Sequence, residues 1–272
     1  MTRSPWAREY ARAPETYIWG TEASRLARQV SALLPPGARV LDVGCGEGRD
    51  SVFFAERGFD VTGVDIVRSG LAEAERLVCA RGVRARWVCG DIGGLATRRL
   101  GDGSFDLIYS CGSVHYVPRA MRGRLFRRLQ ALTRPAGLHA HIVFTDRAIY
   151  REKGERIDYF TPGELAALYA DWRIVACEKR LIDCRQDGTI HRHSVEQLVA
   201  RTRKMLEPGQ RVTVDLSGLV IKGVSFSGNV KKVPGTIVQQ VSPAPPVYLV
   251  ELLFSFKGIK RVEVPGERIH LA

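Results

Sequence analysis

The chain has 272 residues, enough for one large domain and one small one. Its 45% hydrophobic and 26% charged residues are those of an ordinary globule, which excludes a low-complexity chain. The net charge of +12 would draw an anionic ligand or nucleic acid. Its arginines are scattered, however, and no RNA-binding or zinc-finger pattern accompanies them, so nucleic acid is only a secondary expectation.

The opening MTRSPWAREY carries charge and proline where a signal peptide needs an apolar stretch. No window approaches the roughly 20 apolar residues of a membrane span. These features predict a cytoplasmic chain with no membrane partner. The six cysteines form no CxxC pair and no metal-ligand spacing, so most read as small buried hydrophobes.

In chain order, residues 1–37 read as a helical extension dense in aromatics, with Trp6, Tyr10, Tyr17 and Trp19. Such a segment would either fold over a ligand mouth as a lid or pack on the sheet. From 38 to 205, short apolar runs alternate with helical patterns, the βαβ signature of a parallel sheet covered on both faces. Strands are predicted at 38–43, 60–64, 85–88, 105–109, 137–144, 172–178 and 191–199, and helices at 50–57, 70–80, 121–132 and 161–170. The last helix has a readable start, with Thr161 as cap and Glu164 closing a capping box. From 206 to 272, β-branched runs broken by Gly and Pro predict a small all-β unit that loosely resembles an SH3-like barrel. That unit would dock on the main domain or mediate a homo-oligomer. Its apolar run at 247–256 should be paired or covered.

The informative stretch is RVLDVGCGEGRDSVFFAERGFDVTGVDI. Gly44, Gly46 and Gly48 follow one strand and precede a helix, offering close backbone approach and unpaired helix N–H groups. Asp65 ends the next strand, where a carboxylate can accept two ribose hydroxyls. A dinucleotide fingerprint would need Gly where Arg49 stands, and no GK[ST] follows as in a P-loop. Glu47 inside the loop and Asp42 before it disfavour pyrophosphate and favour a ligand with an ammonium and a cationic sulfur.

This strand–loop–helix–strand resembles motif I and the acidic loop of class I S-adenosylmethionine-dependent methyltransferases. The resemblance implies a Rossmann-like seven-stranded α/β sheet with the last strand antiparallel, and S-adenosylmethionine as cofactor with S-adenosylhomocysteine as product. Asp42, Gly44, Cys45, Gly46, Gly48, Asp65, Ile66, Asp91, Ile92 and Ser110 would line the cofactor site, Asp91 in CGDI near the adenine amino group with Ile92 flanking the ring. The helix after the loop and YFTPGELAALYADWRIV resemble the TehB-like and thiopurine-type subgroup. Two departures stand out: His115–Tyr116 replaces a His–His pair, and Ala136 replaces a Gly.

Methyl transfer is an in-line displacement that needs alignment and exclusion of water, and a general base only for a protonated nucleophile. His115 is the candidate base or a wall of the pocket. Tyr116, Tyr17 and Trp19 are candidate aromatic faces, and Arg49 and Arg147 candidate contacts to an anionic substrate. The acceptor is expected to be a small molecule, a natural-product intermediate or a thiol or chalcogen species. An RNA or protein methyltransferase and a non-catalytic cofactor-binding protein are the rival readings. The pairs His139/His141 and His191/His193 would hold a metal only if strand neighbours brought all four imidazoles together; packed or hydrogen-bonded histidines are the adopted reading, and no metal is assigned.

Overall fold

The computed structural model describes residues 5–12, 17–92, 100, 105–146, 157–184, 190–203, 205–243 and 246–271. It forms two compact units, Met1–Thr133 with Gly137–Arg201, and Arg134–Ala136 with Thr202–Ala272. The sequence reading divides the chain slightly later, at 205/206, and sets 1–37 apart.

The first unit holds a seven-stranded sheet: β1 (Arg39–Val43), β2 (Asp60–Asp65), β3 (Arg86–Cys89), β4 (Phe105–Cys111), β5 (Thr133–Thr145), β6 (Arg173–Cys184) and β7 (His191–Arg201). Their order is β3-β2-β1-β4-β5-β7-β6, parallel except that β7 runs antiparallel to both β5 and β6. The helices are α1 (Pro5–Arg12), α2 (Arg25–Ser31), α3 (Arg49–Glu56), α4 (Arg68–Ala80), α5 (Arg119–Ala131) and α6 (Glu164–Ala167). This is the Rossmann-like methyltransferase arrangement expected above.

The central strands are buried on both faces, so β1 and β4 read as near-continuous apolar runs. One face packs Leu41, Val43, Ile108 and Val143 on Phe126 and Leu129 of α5; the other packs Val40, Leu107 and Tyr109 on Leu26 and Val30 of α2 and Phe54 of α3. The order reverses at β1, where β2 lies on one side and β4 on the other. Crevices at the carboxyl ends of such strands are where open α/β sheets bind ligands.

Two local expectations shift. The helix expected at 161–170 is the single turn α6, because Gly163 in the left-handed region starts it late. Glu164 still accepts from the Thr161 amide at 2.9 Å, and its other oxygen accepts from Arg122 at 2.9 Å. β6 runs past 178 to Cys184, its alternately exposed pattern marking a sheet edge.

The second unit is a five-stranded antiparallel sheet, β8 (Arg211–Val214), β11 (Val233–Pro243), β12 (Pro246–Phe256), β13 (Ile259–Pro265) and β14 (Ile269–Leu271), in the order β13-β12-β11-β8-β14. A small hairpin, β9 (Val220–Ile221) and β10 (Val224–Ser225), fills the excursion after β8, and a 3₁₀ turn at Gly266–Arg268 precedes β14. This is the small all-β unit expected from the sequence. Leu252, Val250, Tyr248, Val262 and Val264 build its core, and β12 is paired with β11 and β13.

Candidate active site

The loop after β1 turns in left-handed backbone: φ is 74° at Gly44, 54° at Gly46 and 80° at Gly48. A Cβ at Gly44 would collide with the Ser113 side chain, and one at Gly46 would lie 2.6 Å from the Tyr10 hydroxyl. The glycines are therefore required for the turn and for close packing. The loop amides, expected to be bare donors, are engaged within the protein. Gly44 and Cys45 donate to the Val64 carbonyl at 2.7 and 3.1 Å, Gly46 to Asp65 Oδ2 at 2.9 Å, and Gly48 to the Cys45 carbonyl at 3.0 Å.

Above this loop opens a cavity of about 570 Å³. It is framed by the carboxyl ends of β1 to β3, by the aromatic N-terminal segment, and on the far side by β5, β6 and β7. Asp42, Gly44, Cys45, Gly46, Asp65, Ile66, Asp91 and Ile92 line it, as do Trp19, Arg49 and Tyr116.

Four other candidates lie elsewhere. Gly48 caps α3 and packs on Ala74. Tyr17 packs beside Val52, Leu77 and Val78 and donates to the Glu73 carbonyl at 3.4 Å. Ser110 points into the sheet's other layer, bonded to His141 Nδ1 at 2.7 Å, while Cys111, one residue on, lines the cavity. His115 is wholly buried and stacks on Phe144 at 4.4 Å, with Phe144 forming the cavity wall. Burial, then Arg122 and His193, push its pKa down to about 3. Of the two roles open to His115, base or wall, the base role is corrected: so low a pKa makes the imidazole a weak proton acceptor, and the ring lies behind the Phe144 wall, outside the cavity lining. Arg147 lies outside the described residues.

The acids are set by their surroundings. Asp65 caps the loop, accepting from Gly46 and from the Val67 amide at 2.8 Å; burial raises its pKa against those bonds. Asp42 accepts from Ser51 Oγ at 2.7 Å, yet burial pushes its pKa up to about 7. Glu47, read from the sequence as loop charge that disfavours pyrophosphate, accepts the Ile18 amide at 2.8 Å and so anchors the N-terminal segment.

Asp50, which the sequence reading missed, is a hub: it accepts from the Ser24 amide at 2.7 Å, from Tyr109 Oη at 2.7 Å, and from Arg49 at 3.2 and 3.3 Å. Burial opposes the Arg49 charge, but Asp50 more than offsets it and raises the pKa. An acid in the first turn after the glycine loop was the available signal. Over the mouth, the Trp6 ring meets Tyr10 at 5.8 Å, Trp19 at 6.0 Å and, edge-on, Tyr116 at 6.0 Å.

The four histidines separate. Register pairing puts His139 and His141 on the face shared by Leu198 and Ala200, and His193 on the opposite face beside Phe144. His139 and His141 join one buried chain: Thr133 Oγ1 to His139 Nε2 at 2.6 Å, His139 Nδ1 to Tyr169 Oη at 2.6 Å, and Tyr169 Oη to His141 Nε2 at 2.7 Å. Burial lowers the pKa of both imidazoles.

A methyltransferase-domain family model matches residues 40–137, which holds the loop and the five acids that line the cavity. That match, over about a third of the chain, supports a class I S-adenosylmethionine-dependent methyltransferase domain. The chain is 27% identical to trans-aconitate 2-methyltransferase of Deinococcus radiodurans, over 95% of its length and 93% of that protein. It is 34% identical to malonyl-[acyl-carrier protein] O-methyltransferase of Pectobacterium atrosepticum, over 53% of its length and 54% of that protein. The chain thus spans about half the length of that relative, and 51% of hemagglutinin 1 of Eikenella corrodens. Among solved structures, it resembles the 1,6-didemethyltoxoflavin N1-methyltransferase of Burkholderia thailandensis with bound S-adenosylhomocysteine (28% identity, TM-score 0.53, 73% of this chain and 87% of that one). The fold also matches TehB from Haemophilus influenzae (18% identity, TM-score 0.59, 72% and 67%).

The residues that line the cavity fit S-adenosylmethionine as a cofactor. Asp65, Asp91 and Ile92 line the cavity and offer the acceptors and the apolar flank that a ribose and an adenine would need. Asp42 is a buried acid whose pKa is raised by burial, and an α-ammonium beside it would favour its ionised form. No described helix is long and apolar enough to cross a membrane.

Proposed function

We propose that this chain moves a methyl group from S-adenosylmethionine to a small-molecule acceptor, as a cytoplasmic enzyme. The observation that carries the reading is the two-sided cavity. Asp42, Glu47, Asp50, Asp65, Asp91 and the glycine loop line one side, and Trp6, Trp19 and Tyr116 roof it. The bound cofactor supplies an activated methyl group. The chain's own residues orient the two reactants and exclude water. Tyr116 lines the mouth and offers an aromatic face toward a cation there. Since His115 is sealed, no imidazole of the cavity lining serves as base, and the reading favours an acceptor that is already a nucleophile at neutral pH.

The far wall supports a narrower reading: an anionic acceptor. Arg25 and Arg180 line the cavity beside Ile182 and Val195, and the buried Arg180 Nε has no hydrogen-bond partner among the described residues. Buried donors usually have partners. The relatives named for trans-aconitate and for 1,6-didemethyltoxoflavin act on small molecules, which supports the same class.

Calorimetry with S-adenosylhomocysteine tests the first claim. Asp65→Asn should weaken binding by about 30- to 150-fold, the worth of about 2–3 kcal/mol for a charged hydrogen bond. A folded wild-type chain with no affinity for this nucleoside would sink the reading. Methyl transfer to trans-aconitate as a carboxylate probe, beside neutral acceptors, tests the second. Arg180→Gln should raise KM for the carboxylate and leave S-adenosylhomocysteine affinity unchanged.

A further inference from the structure

At the end of the β6–β7 hairpin three side chains of metal-ligand type converge. Cys184 of β6 is the register partner of His191 of β7, so the two share a face. His193 lies two residues along β7, on that same face. The result is that Cys184 Sγ and one nitrogen of each imidazole all lie within 4.8 Å of one another. His191 Nε2 and His193 Nε2 are 3.0 Å apart, sharing one proton between two imidazoles. A tetrahedral zinc, with Zn–N about 2.0 Å and Zn–S about 2.3 Å, spaces its donors by about 3.3 to 3.6 Å. The cluster therefore needs only small side-chain adjustments to close on an ion.

We propose that Cys184, His191 and His193 form a binding site for a soft divalent transition-metal ion of the zinc class. The donor set decides the class: one thiolate and two imidazoles suit zinc or cobalt, and hard ions such as magnesium prefer carboxylate and carbonyl oxygens. The neighbouring carboxylate, Asp183, is on the other face, accepting from Arg192 Nε at 2.9 Å. Binding displaces the thiol proton to solvent, and the Nε2 proton between the two rings moves to Nδ1 of its own ring, so that both imidazoles ligate in neutral form.

The position gives the site a role. His193 stacks on Phe144 at 4.2 Å, and Ile182 is its register partner; Phe144 and Ile182 both line the cavity. An ion held there would tie the two strands together at the turn end of a hairpin whose next residues along the same face, Arg180 and Val195, form the acceptor-side wall. Three protein ligands leave a fourth position for water or for an acceptor atom. The site stands whether or not the methyl-transfer reading does, since no cofactor residue enters it.

The test uses the full chain, stripped of metal by chelator and titrated with Co²⁺ and Zn²⁺. One ion per chain should bind, and the cobalt form should show tetrahedral d–d bands with a thiolate-to-metal charge-transfer band. Cys184→Ser should remove the charge-transfer band. His191→Asn should weaken zinc binding by at least about 100-fold, since loss of an outer-shell partner alone costs 10- to 100-fold. Cys79 and Cys177 are exposed, so Cys79→Ser and Cys177→Ser serve as controls and should leave the band intact. Both ligand positions are at least partly exposed, so their variants should fold; thermal melts and S-adenosylhomocysteine calorimetry check this separately. Substoichiometric binding, or a band that survives Cys184→Ser, would overturn the proposal.

Discussion

The two sides of the cavity are built differently. The side under the glycine loop is shaped by backbone: left-handed glycines, amides bonded to Val64, and the Asp65 carboxylate fastening Gly46 and Val67. The far side is shaped by side chains on β5, β6 and β7, namely Phe144, Arg180, Ile182 and Val195. A backbone-shaped wall tolerates almost no substitution and so stays the same across a family. A side-chain wall can be rewritten without moving the sheet, which places acceptor choice there.

The sharpest way to break this contrast is to put a methyl group on the backbone wall. Gly44→Ala combines a φ of 74° with a collision on Ser113, whose hydroxyl holds the Val43 carbonyl. Gly58→Ala, at a φ of 79°, meets open space. Both should lose about 1 kcal/mol for the left-handed backbone alone. Only Gly44→Ala should also displace the loop, costing at least about 100-fold in S-adenosylhomocysteine affinity by calorimetry. Equal binding by the two variants would show that the loop is more pliable than its packing implies.

The same contrast explains what was legible in the sequence. Strand and helix positions followed from periodicity, Asp42 and Asp65 from lying at strand ends, and Asp91 from the family resemblance of CGDI. Side-chain phase was harder. Ser110 and Cys111 alternate across β4, and the cavity takes Cys111. The 3₁₀ turn at Val114–Tyr116 sends His115 inward and leaves Tyr116 at the mouth. Glu47 read only as loop charge that disfavours pyrophosphate, because the sequence does not show that the Ile18 amide reaches it. Asp50 was invisible as a hub because its partners, Ser24 and Tyr109, come from residues 26 and 59 positions away.

A tenfold effect is expected from Asp42. With its pKa near 7 in the ligand-free chain, about a tenth of it is ionised at pH 6 and most of it at pH 8. If its carboxylate meets the α-ammonium, S-adenosylhomocysteine should bind about tenfold more weakly at pH 6 than at pH 8. Asp42→Asn should flatten that profile, and 5′-methylthioadenosine, which lacks the amino-acid moiety, should bind with no such slope. Stability runs the other way. The folded pKa lies above the unfolded value of 3.8, so this group's contribution is complete below about pH 4 and is lost as the pH rises through about 7. The difference in melting temperature between wild type and Asp42→Asn across that window isolates the term from the buried histidines.

The smallest effect tests the roof that joins the two sides. Trp6 holds three aromatic neighbours from three segments: Tyr10 in its own helix, Trp19 in the following turn and Tyr116 after β4. Each such pair is worth about 0.5–1.5 kcal/mol. Losing the tie to Tyr116, the one that bridges from the N-terminal segment to the sheet, should therefore speed ligand escape by about two- to tenfold. Stopped-flow displacement of S-adenosylhomocysteine from Trp6→Ala should show that increase, with association little changed and Trp6→Phe recovering most of it. Glu47→Gln weakens the same segment at its other anchor, the Ile18 amide, without touching the aromatic cluster. If the roof acts as one body, the double variant should release ligand no faster than the faster single variant; multiplying rates would show two independent flaps.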